Sequence, residues 1–260
     1  MILETVVAAG KGHIGGSLSA VEILVALYHG GVVRVDAKKR HDPLRDRFIM
    51  SKGHACEALY AVLADRGFFS ASELMHLGRE GSMLGGHPDR QIPGVEADTG
   101  SLGNGLGIGA GLAFAAKLDS SAWRTFVLLG DGECYEGSVW EAMMFAAHHA
   151  LDNLVAIIDR NQLCVLDRTE ECNRLDPLDD KLRAFGWDVV AINGHDIVAL
   201  IKTLSSAYTR SNGKPLAVIA NTVKGKGISF MENDVRWHHG VPKDGLLDKA
   251  RNELGCGNTL

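Results

Sequence analysis

The chain lacks the features that staple, stiffen or anchor a polypeptide. Its five cysteines, Cys56, Cys134, Cys164, Cys172 and Cys256, make no CxxC pair and are odd in number. That excludes a zinc knuckle and a disulfide framework and fits a reducing compartment. Only six prolines occur in 260 residues, and no Pro/Ser-rich linker, internal repeat or low-complexity tract divides them, so one domain spanning 1–260 is expected. The longest apolar run, Leu106 to Ala116 with glycines between, falls short of the roughly 18 residues of a membrane span and reads as a buried helix. The N-terminus has no basic region, and Glu4 interrupts its apolar stretch; no signal peptide is read and a cytoplasmic location is expected. There is no basic excess either. Lys plus Arg number 27 against 32 for Asp plus Glu, a net charge of −5, which speaks against nucleic acid or an anionic membrane as partner.

Hydrophobic residues at 46% and charged residues at 23% are ordinary for a folded domain. Glycine is not: 31 copies make about 12% of the chain against an average of roughly 7%. They cluster, which implies backbone that approaches something closely. Short β-branched runs at Arg47 to Met50, Thr125 to Leu129, Leu154 to Asp159, Trp187 to Ile192 and Leu216 to Thr222 read as strands buried on both faces. Helical patterns separate them, so the expected fold is α/β with a mainly parallel central sheet flanked by helices. Ser19 to Glu22, Ser70 to Glu73 and Ser138 to Glu141 have the spacing of capping boxes that open helices, and Arg66-Gly67 reads as a helix end. The helix expected over 103–117 alternates small residues with aliphatics, a pattern for close packing against the sheet or a second subunit. The segments 78–101 and 161–181 are long for connectors and are candidate functional loops.

Two glycine motifs compete. Gly10-Lys-Gly12-His-Ile-Gly15 is a literal GxGxxG, with Asp36 about 20 residues on, as a nicotinamide-dinucleotide site requires. Yet Ile2, Leu3, Val6 and Val7 fit a helix face as well as a first strand. The other motif is Gly130-Asp131-Gly132 at the end of one expected strand, followed by Asn161 at the end of the next. In a parallel sheet those ends face one crevice. A carboxylate, an amide oxygen and a nearby carbonyl, that of Leu163, give three hard oxygen ligands, and Mg²⁺ completes six with phosphate oxygens and water. Gly130 and Gly132 let the backbone close on a diphosphate.

Read in order, Gly12-His-Ile-Gly-Gly-Ser-Leu-Ser19, Ser51-Lys-Gly-His-Ala55, Gly86-His-Pro88, the run from Pro93 to Gly105, the Gly130-Asp-Gly132 and Asn161 pair, and Trp237-His-His-Gly-Val-Pro242 span nearly the whole chain. In these motifs the sequence resembles the N-terminal, diphosphate-binding half of transketolase, in the form where the enzyme is split into two polypeptides. The resemblance implies thiamine diphosphate with Mg²⁺, or Ca²⁺ or Mn²⁺, as cofactors, the metal held by Asp131, Asn161 and the Leu163 carbonyl. It implies that Gly100 and Leu102 line the aminopyrimidine and that Lys224 lies near the cofactor. Glu136 matches a glutamate linking the two active sites of a dimer. His13, His54, His87 and His239 fall on positions that contact the diphosphate or the sugar oxygens, where imidazole suits proton transfer near neutral pH; the other seven histidines are read as structural or solvated.

The implied activity is transfer of a two-carbon ketol unit from a ketose or ketose phosphate to an aldose or aldose phosphate. The implied partner is a C-terminal subunit with the pyrimidine-binding half, in an α2β2 assembly, without which this chain is expected to be inactive. Within the same chemistry a deoxyxylulose phosphate synthase-like or 2-oxo acid decarboxylating half-enzyme is the alternative, with Trp237-His-His239 favouring transketolase. Outside it stand the dinucleotide reading and a non-catalytic scaffold role.

Overall fold

All five apolar runs become strands: β1 Arg47–Met50, β2 Thr125–Gly130, β3 Leu154–Arg160, β4 Asp188–Asn193 and β5 Leu216–Asn221. The computed structural model describes residues 1–255; Cys256 and the last residues of the expected 1–260 domain lie outside them. The α-helices are α1 Ile2–Ala9, α2 Ile14–Ser19, α3 Val21–Tyr28, α4 Cys56–Asp65, α5 Asn104–Leu118, α6 Gly137–His148, α7 Thr169–Cys172, α8 Leu178–Ala184, α9 Ile197–Ser205 and α10 Gly245–Glu253.

Every strand pairing is parallel, in the order β1-β2-β3-β5-β4. Strands β2, β3 and β5 are buried almost end to end because helices cover both faces, and successive side chains serve opposite cores. Phe126, Leu128, Val155, Ile157 and Val218 pack with Leu24, Leu59 and Leu200 of α3, α4 and α9. Val127, Leu129, Ala156, Ile158 and Ile219 pack with Leu106, Met143 and Leu182 of α5, α6 and α8. Helix α5 lies close on the sheet because it is glycine-rich on that side: a Cβ at Gly109 would come 2.4 Å from Val127 Cγ2. Gly107 and Gly111, by contrast, face open space.

Some local expectations fail for identifiable reasons. Gly10 to His13 joins α1 to α2 and Gly15 lies within α2, with no strand before the motif, and Asp36 caps a short turn by accepting from the Lys38 amide at 2.9 Å. The strand that a dinucleotide fingerprint requires is therefore absent. Instead Leu3 and Val6 of α1 join Ile14, Leu18, Ile228 and Met231 in a small third core. Ser19 ends α2 rather than opening a helix, and its hydroxyl donates to Asp159 Oδ2 at 2.6 Å. Ser138 lies inside α6 and donates to the Gly103 carbonyl at 3.0 Å. Ser70 does cap, but what it caps is the 3-10 segment Ala71–His76. The helix end expected at Arg66-Gly67 is where α4 stops.

Candidate cofactor and substrate cleft

Because all strands run the same way, their carboxyl ends deliver polar residues to one edge of the sheet. A cleft of about 480 Å³ opens there. Its lining includes nine of the residues expected from sequence: His54, Gly100, Leu102, Gly130, Asp131, Gly132, Asn161, Leu163 and Lys224. A second cavity of about 370 Å³, among Arg40, Arg45, Arg90 and Glu96, lies elsewhere, and there Arg45 is committed to Glu96.

The floor of the cleft is densely charged. Lys52, which follows β1, and Asp159, near the end of β3, form an ion pair with side chains 1% and 0% exposed. Asp159 also accepts from the Ser19 and Thr222 hydroxyls. Burial opposes its charge, but the Lys52 ammonium and these donors outweigh it and hold the carboxyl below its usual value. Asp131 is also buried. Its Oδ1 accepts from the Gly132 amide at 2.8 Å, and its Oδ2 accepts from the Gln162 amide at 2.6 Å and Arg160 Nη1 at 3.2 Å. Burial and the nearby Asp159 charge push its carboxyl up to about 6 in spite of those bonds. Glu133, unremarked in the sequence, accepts from the Gly103 and Gly130 amides at 2.9 and 3.1 Å and from the Ser51 hydroxyl. It thereby pins the start of α5, the turn after β2 and the end of β1 to one another.

Asn161 Oδ1 accepts from the Leu163 amide at 3.1 Å, while the Leu163 carbonyl accepts from Lys224 Nζ at 3.1 Å. Lys224 also reaches the Cys164 carbonyl at 3.3 Å and His238 Nδ1 at 2.9 Å. Burial and the Lys52 charge lower its ammonium to about 8, so it still carries a proton at neutral pH. Asp131, Asn161 and the Leu163 carbonyl are hard oxygen donors on one wall, and an ammonium already occupies one of their contacts, so the set fits a hard cation. Among the described residues no group of three His, Cys, Asp or Glu side chains is placed to hold a metal. A cation here would depend on amide and carbonyl oxygens and on oxygens brought by a ligand.

Beside His54 the other expected histidines gather. The ring centroid of His13 lies 5.4 Å from His54, 4.8 Å from His239 and 6.4 Å from His87. His238, which sequence reasoning places among the structural or solvated histidines, belongs to the same cluster at 5.4 Å from His13 and 5.2 Å from His54. A sequence signal existed, since it adjoins His239 in the Trp237-His-His motif. Burial and neighbouring positive charge push His13 down to about 4, His54 to about 2 and His238 to about 3, so all three are neutral imidazoles at pH 7.

The loop of His13 is held by partners distant in sequence. Its amide donates to Glu57 Oε1 at 2.8 Å, and the Gly240 amide donates to the Gly12 carbonyl at 2.9 Å, which draws the 238–240 turn alongside. Gly100, at φ +135°, lies so close to His87 that a Cβ would sit 2.6 Å from its ring, so only glycine fits there. Glu136 stands apart. It is exposed and precedes α6 without a side-chain capping bond.

Residues 1–259 match the family described as transketolase, thiamine diphosphate binding domain. The chain is 48% identical over 254 residues to one of the subunits of the apulose-4-phosphate transketolase of Phocaeicola vulgatus, covering 97% of this chain and 89% of that one. It is 42% identical over 240 residues to a 6-deoxy-6-sulfo-D-fructose transketolase subunit from a Clostridium species, covering 92% and 86%. The transketolase of Leishmania mexicana superposes with a TM-score of 0.91 at 29% identity, over 98% of this chain but only 39% of the longer protein. The motifs, the parallel sheet with its cleft and these likenesses agree: the chain belongs to the transketolase family, as its thiamine diphosphate-binding domain.

Proposed function

We propose that this chain is the cofactor-binding subunit of a split transketolase-type transferase, moving a two-carbon ketol unit from a ketose or ketose phosphate to an aldose or aldose phosphate. Its partner would be a second polypeptide carrying the pyrimidine-binding half, in an α2β2 assembly with the cofactor at each shared interface. The observation that carries this reading is the convergence, at one sheet edge, of an oxygen-donor wall and a cluster of neutral histidines. The relatives of similar length, named as transketolase subunits, support the split. The described cysteines are all free thiols, which fits a cytoplasmic setting.

In this reading Asp131, Asn161 and the Leu163 carbonyl hold Mg²⁺, or Ca²⁺ or Mn²⁺, against the diphosphate, with Gly130 and Gly132 leaving room for its oxygens. Thiamine diphosphate, when bound, supplies the carbanion chemistry. The protein's part is position and proton handling. Lys224 offers its ammonium to the diphosphate, Gly100 and Leu102 present backbone to the aminopyrimidine, and His54 contributes a neutral donor-acceptor near the phosphates. His13, His87 and His239 face the sugar. A neutral His13 ring keeps one nitrogen free to accept a hydroxyl proton, and positioned imidazoles of this kind contribute on the order of 10² to 10⁴ in rate. Glu136, exposed outside the cleft, is assigned to the contact between the two sites of the assembly.

The test is affinity purification of the tagged chain from its native cells. The expected result is a co-purifying polypeptide with the pyrimidine-binding half and ketol transfer by the pair alone. Full turnover by the isolated chain would refute the split assignment.

A further inference from the structure

The loop that carries Asn161 and Leu163 also carries two cysteines that the proposed chemistry leaves unused. Cys164 Sγ and Cys172 Sγ lie 3.3 Å apart. Cys164 is partly exposed and Cys172 exposed, whereas Cys56 and Cys134 are buried. The two meet because the loop folds back on itself: Leu163 bridges to Arg168, the Cys164 amide donates to the Asp167 carbonyl at 3.0 Å, and α7 brings Cys172 alongside. The base of the loop is fixed by Arg160, which binds Asp131 on one side and Thr169, Glu170 and Asp176 on the other. Both cysteines line the cleft. The Cβ of Cys164 sits 3.1 Å from where a Cβ on Gly132 would be, and its carbonyl accepts from Lys224.

We propose that Cys164 and Cys172 form a reversible dithiol–disulfide site in the wall of the cleft, closed by exchange with a small-molecule disulfide and reopened by a thiol reductant. The thiolate of one cysteine attacks the reagent's S–S bond and expels one thiolate. The second cysteine then attacks the mixed disulfide at the protein sulfur and expels the other. The two cysteines are oxidised, the reagent is reduced to two thiols, and the two protein thiol protons pass to them.

Closure needs the sulfurs to approach to about 2.05 Å from 3.3 Å. That movement acts on Cys164, which adjoins the Leu163 carbonyl and shares Lys224 with it. This consequence rests on the cofactor reading above: drawing Cys164 toward Cys172 displaces the carbonyl wall and weakens thiamine diphosphate binding.

The experiment uses the full chain with Cys256→Ser, so that four cysteines remain. Oxidised glutathione is added and removed, then thiols are counted after denaturation, the intact mass is measured, and, after reconstitution with the partner subunit, thiamine diphosphate with Mg²⁺ is titrated calorimetrically. The expected result is a fall from four thiols to two, a mass lower by about two daltons with no glutathione attached, affinity weakened about fivefold or more, and full reversal by dithiothreitol. With Cys172→Ser added, no disulfide-linked loop forms. Persistence of all four thiols, a stable glutathione adduct without closure, or unchanged affinity after closure would overturn the proposal. A reduced, reconstituted assembly that binds no thiamine diphosphate would instead fail the functional reading, and the thiol count and mass would then decide the disulfide by themselves.

Discussion

The floor of the cleft and its mouth follow opposite electrostatic rules. On the floor every buried charge is committed: Lys52 to Asp159, Arg160 to Asp131, and Glu133 to two amides and a hydroxyl. At the mouth the described contacts leave the His13 ring without a hydrogen bond to protein, and His87 and His239 are exposed. Three of the five imidazoles are held neutral by burial and nearby positive charge. The floor uses its hydrogen-bonding capacity to hold the strand ends together. The mouth keeps its capacity for something that is not protein. The same divide separates stability from chemistry, and it can be tested one residue at a time.

The largest effect is expected on the floor. Lys52→Met leaves the Asp159 carboxylate buried and unpaired, and breaking such a pair costs on the order of 3–5 kcal/mol. Urea unfolding should show that loss, and Lys52→Met combined with Asp159→Leu should recover most of it. A loss below about 1 kcal/mol, within the range of an exposed ion pair, would erase the difference between floor and mouth.

A smaller effect on stability, with a larger one on turnover, is expected at the mouth. His13→Ala in the reconstituted enzyme should lower kcat by about 10² while shifting unfolding at pH 7 by less than about 1 kcal/mol. Equal losses of turnover and stability would show that the histidine is structural. The same variant reports on pH dependence. Folding depresses His13, His54 and His238 to about 4, 2 and 3, so the unfolded chain takes up protons near pH 6.5 that the folded chain refuses. Stability is therefore full above that pH and falls as pH drops toward 4. His13→Ala should make the fall shallower, by the smallest margin of these effects, measured as unfolding free energy against pH.

Much of this is legible in the sequence where one physical constraint dominates. Strands buried on both faces must be continuous apolar runs, and all five runs end within a residue or so of the observed strands. The expectation of burial on both faces fails for β4, which lies at the sheet edge and is partly exposed throughout. Nine expected site residues line one cleft because a parallel sheet puts its carboxyl ends together. What stays hidden depends on partners far along the chain. Ser19 spaced from Glu22 looks like a cap, yet its hydroxyl is claimed by Asp159, 140 residues away. Lys52, Glu57 and Glu133 are not singled out by any sequence pattern, and only the fold buries them against Asp159, the His13 amide and the Gly103 amide. His238 lines the cleft beside Lys224, a contact its proximity to His239 suggests and periodicity does not.

Everything proposed for the cleft depends on the Asp131 wall holding a metal against a diphosphate. Calorimetric titration of the reduced chain, reconstituted with its partner subunit, with thiamine diphosphate, with and without Mg²⁺, beside Asp131→Asn, addresses that dependence directly. Binding should require the divalent ion and weaken by about 100-fold or more in the variant, roughly 2.7 kcal/mol. Equal affinity with and without Mg²⁺, or in Asp131→Asn, would contradict it.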